Sequence, residues 1–195
     1  MLTLAAVVLS AAFAQPAPSG QLVPPSELAK LPPHEQDRFT VRDALGWVNL
    51  GHKSAWRGYK QKDFPSKGWS VDNGISSSAS GGGGDIMTRD QFGDFELEFL
   101  FKCEPKANSG VIYRSTEKHG ASWQTGPEFQ VLDDAGHGLK PGDPHSVGAM
   151  YELVSPAEDK VYKANNWNTG RIYIRNGMFQ HWLNDKKVAQ IVAFD

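Results

Sequence analysis

Two short segments of the chain carry charged and amide side chains among strand-forming residues. Residues 108–114 read Asn-Ser-Gly-Val-Ile-Tyr-Arg, and residues 126–134 read Gly-Pro-Glu-Phe-Gln-Val-Leu-Asp-Asp. Since successive side chains of a strand point to opposite faces, Glu128 and Gln130 are predicted to share one face, and Arg114 occupies an alternate position of the other strand. A strand with a purely structural role seldom needs such polar groups. We therefore interpret the two segments as a polar site on a β-sheet, and such a site is suited to binding a sugar.

Glu128 is the residue of this set with the widest chemical use. A carboxylate beside a cation and amides can act as a general acid or base, or accept hydrogen bonds from sugar hydroxyls. Taken alone, Arg114 and Glu128 are more simply interpreted as an exposed cross-strand ion pair, which contributes less than about 1 kcal/mol. Gln130 on the Glu128 face, with Tyr151 and His181 on later predicted strands, favours a site instead.

Histidines and acidic residues surround the Glu128 segment and could hold a divalent metal. They are His137, His145, His181, Asp133, Asp134 and Asp143. A metal is possible, but no short ligand spacing such as His-x-x-x-His with an acid on one helix is present. We retain His137 and Asp133 as candidate substrate-binding residues. Trp123 lies in a polar loop and is the best candidate for stacking against a pyranose ring.

Composition and charge exclude several classes of protein. The 195 residues carry a net charge of −2 and no run of Lys or Arg, so neither a nucleic-acid partner nor a membrane-surface patch is indicated. The glycine run 81–84 lacks the Lys-Ser/Thr that a phosphate-binding loop needs, and no nucleophile elbow or dinucleotide motif occurs. Cys103 is the only cysteine, which rules out an intrachain disulfide. Its apolar strand predicts a buried, inert thiol.

The N-terminus indicates export. The first 14 residues are mostly apolar, form a stretch too short to span a bilayer comfortably, and end in Ala12-Phe13-Ala14, a small-x-small cleavage signal. We therefore predict a signal peptide over residues 1–14, a mature N-terminus at Gln15 and a periplasmic or secreted location, with no membrane span after cleavage. An uncleaved anchor is the alternative.

After this segment, residues 15–39 are rich in proline and are predicted to be a linker, which leaves residues 40–195 as the folded domain. No long helical pattern occurs in the domain. Short apolar segments alternate with turn residues, and Asn176-Gly177 is a strong two-residue hairpin signal. Such spacing predicts an all-β domain, an antiparallel β-sandwich. The predicted strands include 92–102, 111–115, 128–132, 149–154, 171–175, 179–183 and 188–192.

Several motifs follow one another in a recognisable order between residues 46 and 188. They include Gly68-Trp69-Ser70-Val71-Asp72-Asn73-Gly74, Phe92-Gly93-Asp94-Phe95, the segments 108–114 and 126–134, Gly148-Ala149-Met150-Tyr151 and His181-Trp182-Leu183-Asn184. In this order the chain resembles the 3-keto-disaccharide hydrolase family. The resemblance implies a concanavalin-A-like jelly roll, in which two antiparallel sheets pack together and one curves into a cleft. Members of this family continue into further strands, so we expect the domain to lack its C-terminal strands.

The resemblance implies an exported enzyme that cleaves glycosides or disaccharides already oxidised at C3. A C3 ketone acidifies the C2 proton, so a base can remove that proton and expel the aglycone from C1, after which water can add. Such a reaction needs a base, a group that stabilises the enolate and an acid for the leaving group. We assign these roles to Glu128, Arg114 and His181 in that order. The predicted substrate-binding residues are Gln130, Tyr151, Trp123, His137 and Asp133.

Two other functions stay open at this point. The same jelly roll also hosts lectins, so a non-catalytic carbohydrate-binding module is the main alternative. The six Trp residues and the lack of a motif with an unambiguous nucleophile favour it. A structural or interaction domain, tethered through the proline-rich linker, is the third.

Overall fold

The computed structural model describes residues 10–11, 48–72, 74–78 and 82–193 of the chain. In these residues the regular structure consists of β-strands and two short 3-10 helices, Lys53–Ala55 and Ser122–Gln124, without an α-helix. The predicted all-β class is therefore confirmed. The predicted linker, residues 15–39, and most of the predicted signal peptide lie outside the described residues.

The strands of the described residues are short, with a longest run of eight residues. In chain order they are β1 Ser10–Ala11, β2 Val48–Asn49, β3 Trp56–Gly58, β4 Trp69–Asp72, β5 Ile75–Ser78, β6 Ile86–Thr88, β7 Phe95–Phe101, β8 Asn108–Ile112, β9 Glu128–Leu132, β10 Asn168–Arg175, β11 Met178–Leu183 and β12 Lys186–Val192. Most differ from the predicted bounds by a few residues, and β9 matches its prediction at both ends.

The larger sheet contains six strands in the order β12-β11-β10-β7-β1-β2. β10 and β11 form a hairpin across Asn176-Gly177, whose φ angles of 48° and 76° are those of the two-residue turn that the sequence predicted. β7 alternates buried and more exposed residues, because every second side chain faces the interior. The buried set is Phe95, Leu97, Phe99 and Phe101.

β1 lies inside this sheet, between β7 and β2. Its two residues, Ser10 and Ala11, pair antiparallel with Leu97–Glu98 of β7 and with β2. Both belong to the predicted signal peptide, whose cleavage stays a prediction. In the part of the chain that the structure describes, no helix is long and apolar enough to cross a membrane.

A second layer is formed by the antiparallel pair β8–β9 and the segment 148–151. The backbone NH of Gln130 donates to the carbonyl of Ala149 at 3.1 Å, and the NH of Tyr151 donates to the carbonyl of Glu128 at 3.0 Å. A bridge between Phe129 and Met150 lies between them. The segment 148–151 therefore extends the pair beyond β9, and it corresponds to the predicted strand 149–154.

The core lies between these two layers. Phe129 of β9 is fully buried, and its ring meets those of Phe99 and Phe101 of β7 at centroid distances of 5.2 and 6.3 Å. Gly170 of β10 leaves room for the tip of the Phe99 ring, because a Cβ at that position would be 2.3 Å from the Cζ atom of the ring. Each buried phenylalanine contributes roughly 1.5–3 kcal/mol by leaving water. The predicted antiparallel β-sandwich is confirmed.

Candidate functional site

Glu128 begins β9, and its side chain lies on the face of the second layer that points away from the core. Its neighbour Phe129 points into the core, so strand alternation directs Glu128 outward. The surroundings still withdraw the carboxyl from water, which together with the negative charge of Asp85 raises the pKa of Glu128 to about 7. Among the described residues the carboxyl has no ion pair that would reverse this shift. Glu128 can therefore exchange a proton near neutral pH.

Asp85 reaches Glu128 from another part of the chain. It precedes β6, where its carbonyl accepts a hydrogen bond from the backbone NH of Tyr59 at 2.8 Å. Its carboxylate accepts the hydroxyl of Ser122 at 2.5 Å. Trp123 follows Ser122 in the second 3-10 helix and has 65% of its surface exposed. The helix that holds Asp85 therefore also presents the aromatic side chain that the sequence predicted to stack on a sugar.

Tyr151 and His145 continue the site on the other side of Glu128. Tyr151 lies directly across from Glu128 in the pairing of β9 with the segment 148–151, so their side chains share a face. The His145 ring packs edge-on against Tyr151 at 5.1 Å between centroids. His145 contacts Asp143 at 2.9 Å and Glu152 at 3.3 Å, and these hydrogen bonds raise the pKa of the imidazole. A carboxyl, a phenol and an imidazole thus lie next to one another.

Arg114 does not pair with Glu128, which corrects the predicted pair. β8 ends at Ile112, and Arg114 has a φ of 53° that breaks the alternation of the strand. Its guanidinium instead contacts the Asp94 carboxylate at 3.2 Å and lies 5.3 Å from the centroid of the Phe179 ring. The positive charge of Arg114, which the sequence predicted to lie beside Glu128, therefore lies elsewhere on the sandwich.

His181 does not reach the cleft either, and the structure corrects its assignment as the acid. The side chain is completely buried in β11 and packs 4.8 Å from the Phe129 ring. Its Nδ1 lies 3.1 Å from the carbonyl of Gly148 and its Nε2 lies 2.9 Å from the hydroxyl of Tyr113. Nδ1 therefore donates and Nε2 accepts the tyrosine proton. Burial lowers the pKa of His181 to about 4, so the ring is neutral at pH 7.

The remaining predicted binding residues are Gln130, two positions along β9 from Glu128, and Asp133 and His137, which follow β9. Gln130 is 3% exposed and donates to Asn108 Oδ1 at 3.4 Å, so it is an interior residue of the layer. Asp133 accepts the backbone NH of Lys106 at 2.8 Å, and His137 Nε2 lies 3.2 Å from the carbonyl of the same lysine. Both brace the turn before β8, at the end of the β8–β9 pair remote from Glu128. Their contact with substrate stays a prediction.

The described residues contain no group of three or more His, Cys, Asp or Glu side chains that could hold a metal ion. Of the acids and histidines that the sequence grouped together, Asp143 and His145 contact each other, and others have different partners. Asp134, for example, forms an ion pair with Lys160 at 2.8 Å.

Sequence reasoning missed Asp85, Ser122 and His145 as members of this site. His145 was noticed as one of several histidines, but nothing distinguished it from His137 before its partners were visible. Asp85 carried one usable signal, its place directly after a run of glycines that allows the chain to approach another segment closely. Because Asp85 and Glu128 are far apart in the sequence, no local pattern predicts that they lie close together.

The comparisons with known proteins bear on this geometry. A family model described as a 3-keto-alpha-glucoside-1,2-lyase-like domain matches residues 47–195. The chain belongs to this family. A curated relative from Bacteroides thetaiotaomicron, named 3-keto-disaccharide hydrolase, is 28% identical over 172 residues, which cover 76% of this chain and 59% of the relative. The chain thus spans about three fifths of the length of that relative, and the resemblance seen in the sequence motifs is confirmed.

Solved structures of similar fold come from Parabacteroides distasonis. Two of them, each described as a "putative glycosyl hydrolase", are 27% identical to this chain, with TM-scores of 0.61 and 0.56. The first match covers 71% of this chain and 68% of the other, and the second covers 70% and 72%. The fold of this chain is similar to theirs, in agreement with the predicted concanavalin-A-like jelly roll.

Arg114→Ala is expected to lower the free energy of unfolding by about 1 kcal/mol or less, because it removes one exposed ion pair and one cation–π contact. Turnover per folded molecule is expected to stay within about twofold of wild type. Urea unfolding combined with an activity assay checks both values, with Arg175→Ala, an exposed arginine at the end of β10, as the matched control. A loss of turnover of 10²-fold or more, the size expected for an aimed charged donor, would restore the predicted catalytic role.

Proposed function

We propose that this protein cleaves the glycosidic bond of sugars already oxidised to a ketone at C3, with Glu128 as the proton-transfer group. The observation that carries the proposal is the Glu128 carboxyl, withdrawn from water beside Asp85, with a pKa of about 7. A group of that pKa is partly ionised at neutral pH and can both take and return a proton. Membership of a family whose description names a 3-keto-glucoside supports the substrate class.

The reaction follows from the chemistry of a C3 ketone. The Glu128 carboxylate takes the proton from C2, and the electrons of that C–H bond move to the C3 oxygen as an enolate. When the ketone forms again, C1 and C2 become doubly bonded and the C1–O bond breaks with its electrons on the aglycone oxygen. The protonated Glu128 can return its proton to that oxygen, which replaces the role first assigned to His181. Water that adds to the double bond afterwards completes a net hydrolysis.

Two neighbouring side chains support this scheme. Tyr151 lies across from Glu128 on the next strand, where its hydroxyl can donate to an enolate oxygen. Burial and the nearby carboxylates raise the pKa of Tyr151, so the phenol keeps its proton throughout the working pH range. Trp123, 65% exposed beside Ser122, can stack on the sugar ring.

A carbohydrate-binding module is the second candidate, and the exposure of Trp123 favours it. Stacking on an aromatic side chain holds a sugar without any chemistry. The two candidates differ in the fate of the bound sugar, because a module releases it unchanged.

The test uses matched glycosides, one plain and one oxidised at C3, with the same aglycone. We expect the protein to release aglycone only from the 3-keto glycoside and to form a conjugated enone that absorbs in the ultraviolet. Calorimetric binding of both glycosides runs in parallel. Tight binding without aglycone release would contradict the proposed enzymatic function and favour the carbohydrate-binding module.

We further propose that the protein is exported to the periplasm or secreted. The apolar N-terminus and its Ala12-Phe13-Ala14 ending support this. We expect the mature protein to begin at Gln15, as measured by intact mass and N-terminal sequencing of the extracytoplasmic fraction. Recovery of a chain that still begins at Met1 would contradict cleavage, and it would keep Ser10 and Ala11 in the sheet.

A further inference from the structure

Gly110 lies directly beneath the Glu128 side chain. In the β8–β9 register Glu128 pairs with Ile112 and Gly110 pairs with Gln130, so Gly110 is the diagonal neighbour of Glu128 on the same face. A Cβ placed on Gly110 would lie 1.6 Å from Glu128 Oε1, 2.5 Å from Cδ and 2.7 Å from Cγ. The end of the glutamate therefore occupies the space that a side chain at position 110 would fill.

The backbone gives no other reason for a glycine at this position. Gly110 is not among the glycines with a left-handed φ, so an L-residue could adopt its conformation. A glycine within a strand costs conformational entropy and often marks a close approach by another group. Here the approaching group is the carboxyl of Glu128.

We propose that Gly110 is a positioning residue whose missing side chain forms the seat of the Glu128 carboxyl on β8. The titratable groups that face this seat are Asp85, which precedes β6, and Tyr151, on the neighbouring strand. In this seat the carboxyl is kept from water and within electrostatic reach of Asp85. The inference deepens the proposed function, because it rests on Glu128 as the proton-transfer group.

Gly110→Ala is expected to displace the carboxyl and leave the fold in place. The three nearest atoms that the new methyl group would meet, Oε1, Cδ and Cγ, all belong to the flexible side chain of Glu128, which can rotate outward into water. The pKa of Glu128 should then fall toward that of an ordinary glutamate, because desolvation is the larger cause of its elevation. Turnover should fall about 10²-fold, the size expected when a reacting group is misplaced by roughly 1 Å.

The experiment follows the titration of Glu128 directly, by NMR of protein labelled with ¹³C in the glutamate side chains. Loss of a signal in Glu128→Gln assigns the resonance. Gly93→Ala is the matched control, because a Cβ on Gly93 meets nothing within 4 Å and its φ is not left-handed. We expect a midpoint near pH 7 in wild type and in Gly93→Ala, and a midpoint at least one pH unit lower in Gly110→Ala. An unchanged midpoint and unchanged turnover in Gly110→Ala would overturn the inference.

A second variant covers the case in which Gly110→Ala does not fold. Glu128→Ala removes the Cγ, Cδ and Oε1 atoms that the new methyl group would meet, so the double variant should then fold. If the double variant also fails, Gly110 is needed for a reason other than Glu128 and the inference is overturned. The titration needs no substrate, so its result is independent of the proposed function. If the wild type shows the expected midpoints but no turnover, the proposed function is refuted. The role of Gly110 in positioning the Glu128 carboxyl then still stands.

Discussion

Glu128→Gln is expected to lower turnover of a 3-keto glycoside by about 10²–10⁴-fold, the contribution of a positioned general acid or base. Glutamine has nearly the same shape and fits the same seat on Gly110, but it cannot take the C2 proton. Binding of the 3-keto glycoside should persist, because the stacking surface of Trp123 and the hydroxyl of Tyr151 are untouched. Steady-state kinetics and calorimetry on the same protein measure the two effects separately.

Glu158→Gln is the matched control for this prediction, since Glu158 is an exposed carboxylate outside the site. It should retain full turnover. If Glu128→Gln turns over the 3-keto glycoside as fast as this control does, Glu128 has no part in the chemistry. The carbohydrate-binding module would then be the better account of the site.

The same substitution has a predictable effect on stability. The pKa of Glu128 in the folded protein, about 7, lies above that of a free glutamate, about 4.3. As pH rises from about 4.3 to 7, the unfolded chain loses this proton before the folded protein does, so the contribution of Glu128 to wild-type stability falls over that window and then levels off. Glu128→Gln should lack this loss and should melt at a higher temperature than wild type at pH 8. Melting curves at pH 4 and pH 8 test it.

The rate of the proposed reaction, catalysed by the wild-type protein, should depend on pH in a matching way. A base must be ionised to take the C2 proton, so kcat/KM should rise with pH and level off above a midpoint near 7. Asp85→Asn removes a like charge from the neighbourhood of Glu128 and should move that midpoint to lower pH.

Local sequence patterns predicted the fold well because residues close together in the chain specify each strand and hairpin of the sandwich. Alternation along β7 and the Asn176-Gly177 turn each specify a strand face or a hairpin within a few residues. The outward direction of Glu128 followed from the same rule, since Phe129 must face the core. These predictions held because the hydrophobic effect fixes strand register wherever one face is buried.

The predictions that failed depended on details that alternation does not encode. Arg114 lies beyond the end of β8 and takes a left-handed φ of 53°, so its side chain leaves the face that counting assigned to it. Asp85 joins Glu128 through a contact between distant segments, which no local pattern reports. Gln130 shares the face of Glu128 but is covered, because alternation gives direction and says nothing of depth.

His181 is a different case, because the sequence contained the signal that places it. In β11 His181 is two residues from Leu183, so the two side chains share a face, and Leu183 is fully buried. From the sequence, His181 was nevertheless interpreted as an acid, although the alternation of the strand predicts a buried side chain. A histidine between apolar positions of a strand is better predicted as a core residue whose two nitrogens must both find partners.

His181→Ala is therefore expected to be among the most destabilising single changes in the protein. It would leave the Tyr113 hydroxyl and the Gly148 carbonyl without their partner and open a cavity against Phe129. Unpaired buried groups cost about 1–3 kcal/mol each and a core cavity adds to this, so we expect the free energy of unfolding to fall by roughly 3 kcal/mol or more. His137→Ala, an exposed loop histidine, should change it by about 0.5 kcal/mol or less.

Acid unfolding reports on His181 when wild type is compared with His181→Gln, because the opposite contribution of Glu128 over an overlapping pH range is common to both proteins. Its pKa is lowered in the folded protein to about 4, below the value of about 6.5 in an unfolded chain. As pH falls from 6.5 to 4, the unfolded chain gains a proton on this histidine that the folded protein does not bind, so the contribution of His181 to stability is lost across this window. His181→Gln should lose less stability there, while its turnover per folded molecule stays at the wild-type level. If instead turnover collapses in a variant that urea unfolding shows to be folded, His181 acts in the chemistry and its assignment to the core alone is wrong.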